Sequence, residues 1–218
     1  MTISLKIDFV SDIACPWCAV GLGALEQALS SLTSEVKADI HFQPFELNPQ
    51  MAVDGQDLFE HLNQKYGSSA EQQAQIYQNI KSRGEEVGFA FHPTGRGRIF
   101  NTFDAHRLLH WAEVEGAAGD QLRLKKAFLE AYQGRGENIS SHAVLLAVVK
   151  SLGMNEPAAQ SVLASQAYAE EVRAKENFYT SAGIHSVPAV IINDRHLISG
   201  GQPAHVFAKA LREIAAQA

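Results

Sequence analysis

Two cysteines separated by two residues, Cys15-Pro16-Trp17-Cys18, constrain this chain more than any other feature. Residues 5–10, just before them, are rich in β-forming side chains and alternate apolar with polar positions, which predicts a strand. From Pro16 onward, apolar residues recur at helical spacing. The cysteines therefore straddle a strand-to-helix junction, with Cys15 near the helix N-cap and Pro16 at the first helical position, where proline is well tolerated.

This placement predicts a thiol–disulfide redox pair. Free backbone N–H groups and the positive end of the helix dipole stabilise a thiolate on Cys15, and the thiolate is the nucleophile in disulfide exchange. Cys18 lies about one helical turn further on, so its sulfur can return to Cys15 and resolve a mixed disulfide. We expect Cys15 to attack first and Cys18 to resolve.

A later segment, Ser186-Val187-Pro188, is a candidate for the wall that faces this pair, because it begins a compact β-branched run. An X-Pro bond between a turn and a strand can be cis, and proline removes one N–H from the strand. An extended substrate can then pair with the backbone of Val187. We predict a cis Val187–Pro188 bond opposite the cysteines.

Composition and charge exclude several classes of function. The chain has 218 residues, 46% of them hydrophobic, enough for one large domain or two small ones. Its net charge of −6 and scattered basic residues predict no nucleic-acid partner. The sequence has no apolar run of about 18 residues, so we predict no membrane span. The N-terminal residues lack a leader pattern, and we therefore expect a cytoplasmic protein. In a reducing compartment, two cysteines favour a transient functional disulfide over a structural one.

Hydrophobic periodicity predicts the element order β-α-β, a helical block, then α-β-β-α. The second strand is expected at 38–45, with Pro44 indicating a sheet edge. Helices are expected near 55–66, 70–83, 102–115, 120–133, 141–152 and 156–165, and then at 169–182 and 203–215, on either side of a hairpin of strands 187–192 and 196–199. Glycines and a proline break every period in 84–98, which predicts a long exposed loop.

This order predicts an α/β fold with a helical block inserted into a single domain. Residues 1–46 and 167–218 form the α/β part in this interpretation, and residues 47–166 form the helical insertion.

Further segments spread over the chain carry a family resemblance: Phe45-Glu46-Leu47-Asn48-Pro49, Lys65-Tyr66-Gly67, Asn101-Thr102-Phe103-Asp104-Ala105-His106-Arg107-Leu108, Asn138-Ile139 and Ser199-Gly200-Gly201-Gln202. With the C-x-x-C and Val-Pro motifs, they resemble the DsbA family of the thioredoxin superfamily, and most closely its cytoplasmic FrnE-type branch. The resemblance implies a thioredoxin-like fold with a large all-helical insertion. It also implies a nucleophile at Cys15, a resolving thiol at Cys18 and a cis proline at Pro188.

The resemblance implies protein or small-molecule thiols and disulfides as partners, a monomer or homodimer, and no cofactor beyond the redox-active disulfide. Related 2-hydroxychromene-2-carboxylate isomerases and kappa-class glutathione transferases look similar over the same regions, but they usually carry Ser where Cys15 stands. A glutathione-dependent isomerase or transferase is therefore the alternative function, and glutathione is a candidate co-substrate of the oxidoreductase.

A C-x-x-C motif can also be half of a zinc site, and His106 with His110 has the i, i+4 spacing that places two imidazoles on one helix face. Pro16-Trp17 at a strand-to-helix junction favours a redox turn over a zinc knuckle. We therefore expect no metal, and a metal-stabilised binding module is the third hypothesis.

Several other side chains are candidates for substrate binding beside Pro16, Val187 and Pro188. Trp17 either contributes to the substrate surface or packs as an ordinary aromatic residue. His106 either tunes Cys15 or is a core or surface histidine, and the same alternatives apply to Asn101.

Charged residues near the motif have simpler interpretations. Arg96, Arg98 and Arg107 are suited to an anionic substrate such as glutathione, but a solvated loop and a surface arginine are the simpler explanation, which we prefer. Asp8 and Asp12 flank the turn. A buried carboxylate can accept the proton of Cys18, yet Ser-Asp indicates turn chemistry for Asp12, so both stay outside the predicted catalytic set.

Overall fold

The computed structural model describes residues 2–217. Its elements are β1 (Ile3–Ser11), α1 (Pro16–Ser30), β2 (Val36–Pro44), β3 (Gln56–Asp57), α2 (Leu58–Tyr66), α3 (Ala70–Glu86), β4 (Arg98–Ile99), α4 (Phe103–Val114), α5 (Asp120–Leu129), a π-helical turn (Glu130–Gly134), α6 (His142–Ser151), α7 (Glu156–Leu163), α8 (Ala169–Ser181), β5 (Ala189–Ile192), β6 (His196–Ser199) and α9 (Ala204–Ala215). The predicted order is confirmed for the main sheet and the helices, but the helical block also contains the short strands β3 and β4, which were not predicted.

The main sheet has four strands in the order β2-β1-β5-β6. β1 pairs in parallel with β2, from Ile3 opposite Val36 to Ser11 opposite Pro44, and antiparallel with β5. The second half of β1 is buried at every position because helices cover both faces of the central strand. Pro44 ends an edge strand, as predicted, where its missing N–H interrupts no ladder.

Two hydrophobic cores meet at the loop between β1 and α1. The first joins the sheet to α1 and α9, with Phe9, Leu25 and Phe207 fully buried. The second lies among α4, α5, α6 and α7, and it includes Ile13 and Ala14 from the loop itself. Residues just before Cys15 are thus held by the helical block, while Cys15 and Cys18 belong to the first core.

The stretch 84–98 differs from its predicted form. α3 continues to Glu86, Phe91 is buried in the first core, and Arg98 begins β4, which pairs with β3 in a separate two-stranded ribbon. The glycines and proline of this segment correctly indicate that most of it is not helical, but they give no sign that the Phe91 side chain packs into the core. The prediction of a loop without regular structure is therefore confirmed for residues 87–97, whereas the two ends of the stretch belong to α3 and β4, and the loop is only partly exposed.

The proposed division into 1–46 with 167–218 and 47–166 stays a prediction. Ile13 and Ala14 pack with the helical core, whereas Phe91 packs with the sheet core, so side chains cross the proposed boundary in both directions. Between residues 2 and 217, none of the helices has the length and hydropathy needed to cross a bilayer.

Candidate active site

Cys15 is the N-cap residue of α1, and its backbone is extended, with φ −90° and ψ 112°. Pro16 occupies the first helical position. The N–H of Cys18 donates to the carbonyl of Cys15 at 3.1 Å, which closes the first turn and brings the two side chains to the same end of the helix. Both cysteines are free thiols; Cys15 is 4% exposed and Cys18 is fully buried.

The pKa values of the two thiols are shifted in opposite directions. A hydrogen bond from the Cys18 side chain lowers the pKa of Cys15 below its ordinary value; the Cys18 N–H and the charge of Arg96 act in the same direction, against burial and the charge of Asp12. Burial raises the pKa of Cys18 well above its ordinary value, and the neighbouring Cys15 sulfur raises it further. The arrangement therefore makes Cys15 the more reactive thiolate.

The predicted wall faces the pair. The Val187–Pro188 peptide bond is cis, as predicted, and the Cys15 Sγ lies 3.5 Å from the carbonyl oxygen of Val187. On the helix side, a Cβ on Gly21 would lie 3.0 Å from Pro188 Cγ and 3.3 Å from the Cα of Gly201. Glycine at position 21 thus permits the close approach of α1 to the proline.

Asp12 organises the loop before the cysteines. Its carboxylate accepts hydrogen bonds from the N–H groups of Ala14 at 3.0 Å and Leu47 at 2.7 Å, so the predicted turn chemistry is confirmed. His106 Nε2 lies 3.5 Å from the same carboxylate, at the outer limit of a hydrogen bond. Burial opposes ionisation of Asp12, but its attraction to His106 and the two N–H groups hold its pKa below the ordinary value.

Arg96 and Gln133 form a support for this loop that the sequence did not reveal. Gln133, in the π-helical turn, donates to the carbonyl of Ile13 at 2.8 Å and accepts from Arg96 at 2.8 Å. The Arg96 guanidinium also lies 5.1 Å from the centre of the Tyr132 ring. The interpretation of Arg96 as part of a solvated loop is therefore wrong, since it is half-buried and its charge acts on Cys15. The spacing of apolar residues in the sequence cannot distinguish a π-helical turn from an α-helix. Such turns often occur at functional sites.

Lys125 is a second residue that the sequence did not reveal. It is completely buried, and its ammonium interacts electrostatically with Cys18, Asp12 and Cys15. A lysine on an amphipathic helix is expected to face solvent, so the residue gives no local sign of its position.

The residues predicted to contact substrate lie in different environments. Trp17 is half-buried against the first core, and its carbonyl lies against Gly201. Asn101 is also half-buried, but it accepts from the N–H of Phe103 and donates to the carbonyl of Met51, so both ends of its side chain hold local structure. Pro16 remains partly exposed on the first turn of α1.

His106 needs a correction as a substrate contact. Its side chain is 2% exposed and lies beside Asp12, so the structure makes it a partner of the loop carboxylate and not part of an accessible surface. Arg107 also differs from the expected surface arginine, because it is buried and donates to Asp104 and to the carbonyls of Val162 and Ser165. Arg98 is exposed and donates to the carbonyls of the 54–55 turn.

The two histidines of the zinc hypothesis contact other side chains and not the cysteines. His106 faces Asp12, whereas His110 contacts Glu113 and the edge of the Tyr168 ring. Within residues 2–217, no cluster of three or more His, Cys, Asp or Glu side chains has the geometry to hold a metal ion.

Comparison with known proteins shows the family. The model of the DSBA-like thioredoxin domain matches residues 6–212. The uncharacterized protein YwbO of Bacillus subtilis is 27% identical over 215 residues, which cover 98% of each chain. The expected resemblance and the thioredoxin-like fold with its helical insertion are therefore confirmed.

Solved structures share this fold. The probable DsbA oxidoreductase SCO1869 of Streptomyces coelicolor superposes with a TM-score of 0.90 and 32% identity, over 98% of this chain and 91% of its own. A 2-hydroxychromene-2-carboxylate isomerase gives 0.73 at 14% identity over 97% of each chain. The cytosolic disulfide reductase DsbM of Pseudomonas aeruginosa, solved with GSH, gives 0.64 at 15% identity over 98% of this chain and all of its own.

Proposed function

Because this chain belongs to the DSBA-like thioredoxin domain family, we propose that it is a thiol–disulfide oxidoreductase whose redox centre is Cys15 with Cys18. The observation that carries this proposal is geometric: the two cysteines lie on the first turn of α1, and the Cys15 sulfur is 3.5 Å from the Val187 carbonyl, next to the cis Pro188. The pKa of Cys15 is lowered chiefly by a hydrogen bond from Cys18, and the pKa of Cys18 is raised chiefly by burial. One thiol is therefore prepared to attack, and the other is held protonated until the first has reacted.

The reaction proceeds in two exchanges. The Cys15 thiolate attacks one sulfur of a substrate disulfide, forms a mixed disulfide and releases the other substrate sulfur as a thiolate. Cys18 then loses its proton and attacks the Cys15 sulfur, which forms the Cys15–Cys18 disulfide and releases the second substrate thiolate. The substrate gains two electrons and the enzyme dithiol loses two, so an external thiol must return the enzyme to its starting state.

The carbonyl of Val187 beside the Cys15 sulfur supports the proposed role of this segment in holding substrate. An extended peptide or a small disulfide that lies along Val187 would bring its own sulfur towards Cys15. Trp17 and Pro16 form the partly exposed margin of the same site. We include Val187, Trp17 and Pro16, with Pro188, in the proposed substrate site.

Glutathione is the proposed external thiol, and cytoplasmic reduction or isomerisation is the proposed physiological direction. Structural similarity to a cytosolic disulfide reductase solved with GSH and to an isomerase is consistent with the FrnE-type branch. The direction depends on the reduction potential, which spans about −270 to −120 mV across this superfamily.

The test is reduction of insulin disulfides by the wild-type protein, Cys15→Ser and Cys18→Ser, with mass spectrometry of trapped intermediates. We expect no turnover with Cys15→Ser, and Cys18→Ser should accumulate a mixed disulfide on Cys15. Full exchange activity in Cys15→Ser contradicts the proposal. Glutathione-dependent isomerase turnover by Cys15→Ser, without disulfide exchange by the wild type, supports the alternative function instead.

A further inference from the structure

Helix α5 is attached on two sides, and these attachments place Lys125 in the protein interior. Gln121 accepts a hydrogen bond from the N–H of Phe42 at 2.9 Å and donates to its carbonyl at 3.1 Å, which binds the helix to β2. Lys126 forms an ion pair with Glu26 of α1 at 2.9 Å. Lys125 follows Gln121 by four residues, so both lie on the buried face of the helix.

The environment of Lys125 is unusual for a charged side chain. The residue is 0% exposed, its Nζ has no hydrogen-bond partner, and this nitrogen lies 5.9 Å from the centre of the Phe42 ring. A buried ammonium without a partner is costly, so its presence needs an explanation beyond packing. Burial lowers the pKa of Lys125 to about 8.

Phe42, whose ring lies under the Lys125 ammonium, belongs to the same hydrophobic core as Cys15 and Cys18. The charged and titratable groups that act on Lys125 are accordingly those of the active site. Among them Cys18 acts most strongly, followed by Asp12 and Cys15. Asp12 already has two N–H groups and His106 as partners. Cys18, by contrast, is fully buried, and the charge that acts to lower its pKa is that of Lys125.

We propose that Lys125 is the positioning residue of the resolving step, a buried cation that balances the charge of the Cys18 thiolate. The proposal rests on the proposed function, because it assigns a role within the second exchange. The electrostatic effect of Lys125 lowers the pKa of Cys18 and so acts against burial. Sequence position gives no reason for this pairing, since the two residues lie on separate helices that are about a hundred residues apart in the chain.

The resolving step then balances without another reactant. The Cys18 thiol releases its proton to solvent, and its thiolate is held by the Lys125 ammonium while it attacks the Cys15 sulfur. The bond between Cys15 and the substrate sulfur breaks as the Cys15–Cys18 bond forms. The departing substrate thiolate takes up a proton from solvent, and Lys125 ends the step unchanged.

The test separates the two exchanges with 5,5′-dithiobis(2-nitrobenzoate) and stopped-flow absorbance. Attack by Cys15 releases the first nitrothiobenzoate, and attack by Cys18 on the mixed disulfide releases the second. In Lys125→Met we expect a second phase slowed about tenfold at neutral pH, with its pH profile moved upward by about one unit. The first phase should slow much less, because Cys15 interacts with Lys125 more weakly than Cys18 does. Lys209→Met removes an equal charge from the exposed face of α9 and should leave both phases unchanged.

The outcomes distinguish the two proposals. An unchanged second phase and pH profile in Lys125→Met overturns the role of Lys125 and leaves the proposed function intact. Absence of the first phase in the wild type overturns the proposed function itself.

A second measurement does not depend on the folding of Lys125→Met. NMR titration of labelled lysine side chains in the wild type and in Cys18→Ala reports the same interaction from the lysine side, because the interaction is reciprocal. Because the Cys18 thiolate favours the ammonium but forms only at high pH, we expect the Lys125 titration in the wild type to extend towards higher pH as Cys18 ionises, and to lose this extension in Cys18→Ala. An identical Lys125 titration in both proteins contradicts the proposal.

Discussion

The sulfur of Cys15 lies 3.5 Å from the carbonyl oxygen of Val187, although the two residues are 172 positions apart in the chain. One begins α1 and the other precedes the cis proline that leads into β5. Antiparallel pairing of β1 with β5 places the end of β1, which precedes Cys15, next to the start of β5, which follows Val187. The nucleophile and the wall opposite it therefore depend on one strand pairing.

Removal of the Cys18 thiol is expected to raise the pKa of Cys15, because that thiol is the main cause of its lowering. A hydrogen bond to a charged group contributes about 1.5–3 kcal/mol, so Cys18→Ala should raise the pKa by about 1–2 units. Thiolate absorbance at about 240 nm against pH measures it. Cys18→Ser keeps a hydroxyl donor and should give a smaller rise; equal values for the two variants would refute the hydrogen-bond explanation.

Loss of the Arg96 charge is also expected to raise the pKa of Cys15, because the guanidinium favours the thiolate. We expect Arg96→Met to raise it by about 0.5–1 unit, a change of about 0.7–1.4 kcal/mol. The rate of iodoacetamide modification against pH reports the shift. Arg195→Met is the matched control, since Arg195 is exposed on the β5–β6 turn; an equal shift there would indicate only the change in net charge.

A methyl group at position 21 should disturb the contact between α1 and the proline wall. The new Cβ would lie 3.0 Å from Pro188 Cγ, closer than ordinary packing. Overpacking costs about 1–3 kcal/mol, while alanine gains about 1 kcal/mol over glycine within a helix. We expect Gly21→Ala to lower the free energy of unfolding in urea and to slow insulin reduction. Ser30→Ala, at an exposed site of the same helix, should do neither, and a stabilised Gly21→Ala would exclude the clash.

Stability should fall as Glu46 ionises. Burial, with the nearby charge of Glu176, raises the pKa of Glu46 to about 7, although Arg173 opposes the shift. The folded-state pKa lies above the unfolded value of about 4.5, so the stabilisation of the protonated form is complete below that value and is lost as the pH rises to about 7.

The difference in free energy of unfolding between Glu46→Gln and the wild type should therefore be larger at pH 8 than at pH 4, by about 1–3 kcal/mol in favour of the variant. Thermal unfolding across this pH range measures the difference. Glu213→Gln, on the exposed face of α9, provides the control. Parallel curves for the wild type and Glu46→Gln would show that Glu46 does not carry this pH dependence.

The sequence was sufficient for the features that depend on local spacing. The C-x-x-C motif at a strand-to-helix junction located the two thiols. Alternating apolar residues located the first two strands of the main sheet, and a β-branched run with its hairpin turn located the other two. The Val187–Pro188 bond was predicted as cis from its position before a β-branched run. Each of these predictions uses residues within about one element, where periodicity and turn chemistry act directly.

Other features required contacts between distant segments. The strands β3 and β4 have two residues each, too few for a period to be visible. Gln133, Arg96 and Ile13 come from three separate parts of the chain, and none of them carries a local sign of the others.

The sequence by itself determined which residues can perform thiol chemistry and the elements that present them. Only the tertiary structure decided how those thiols are tuned, because pKa values depend on burial and on charges brought close through space. Lys125 illustrates the difference. Its helix places it beside Gln121, but it becomes a buried cation only when α5 packs against β2 and α1.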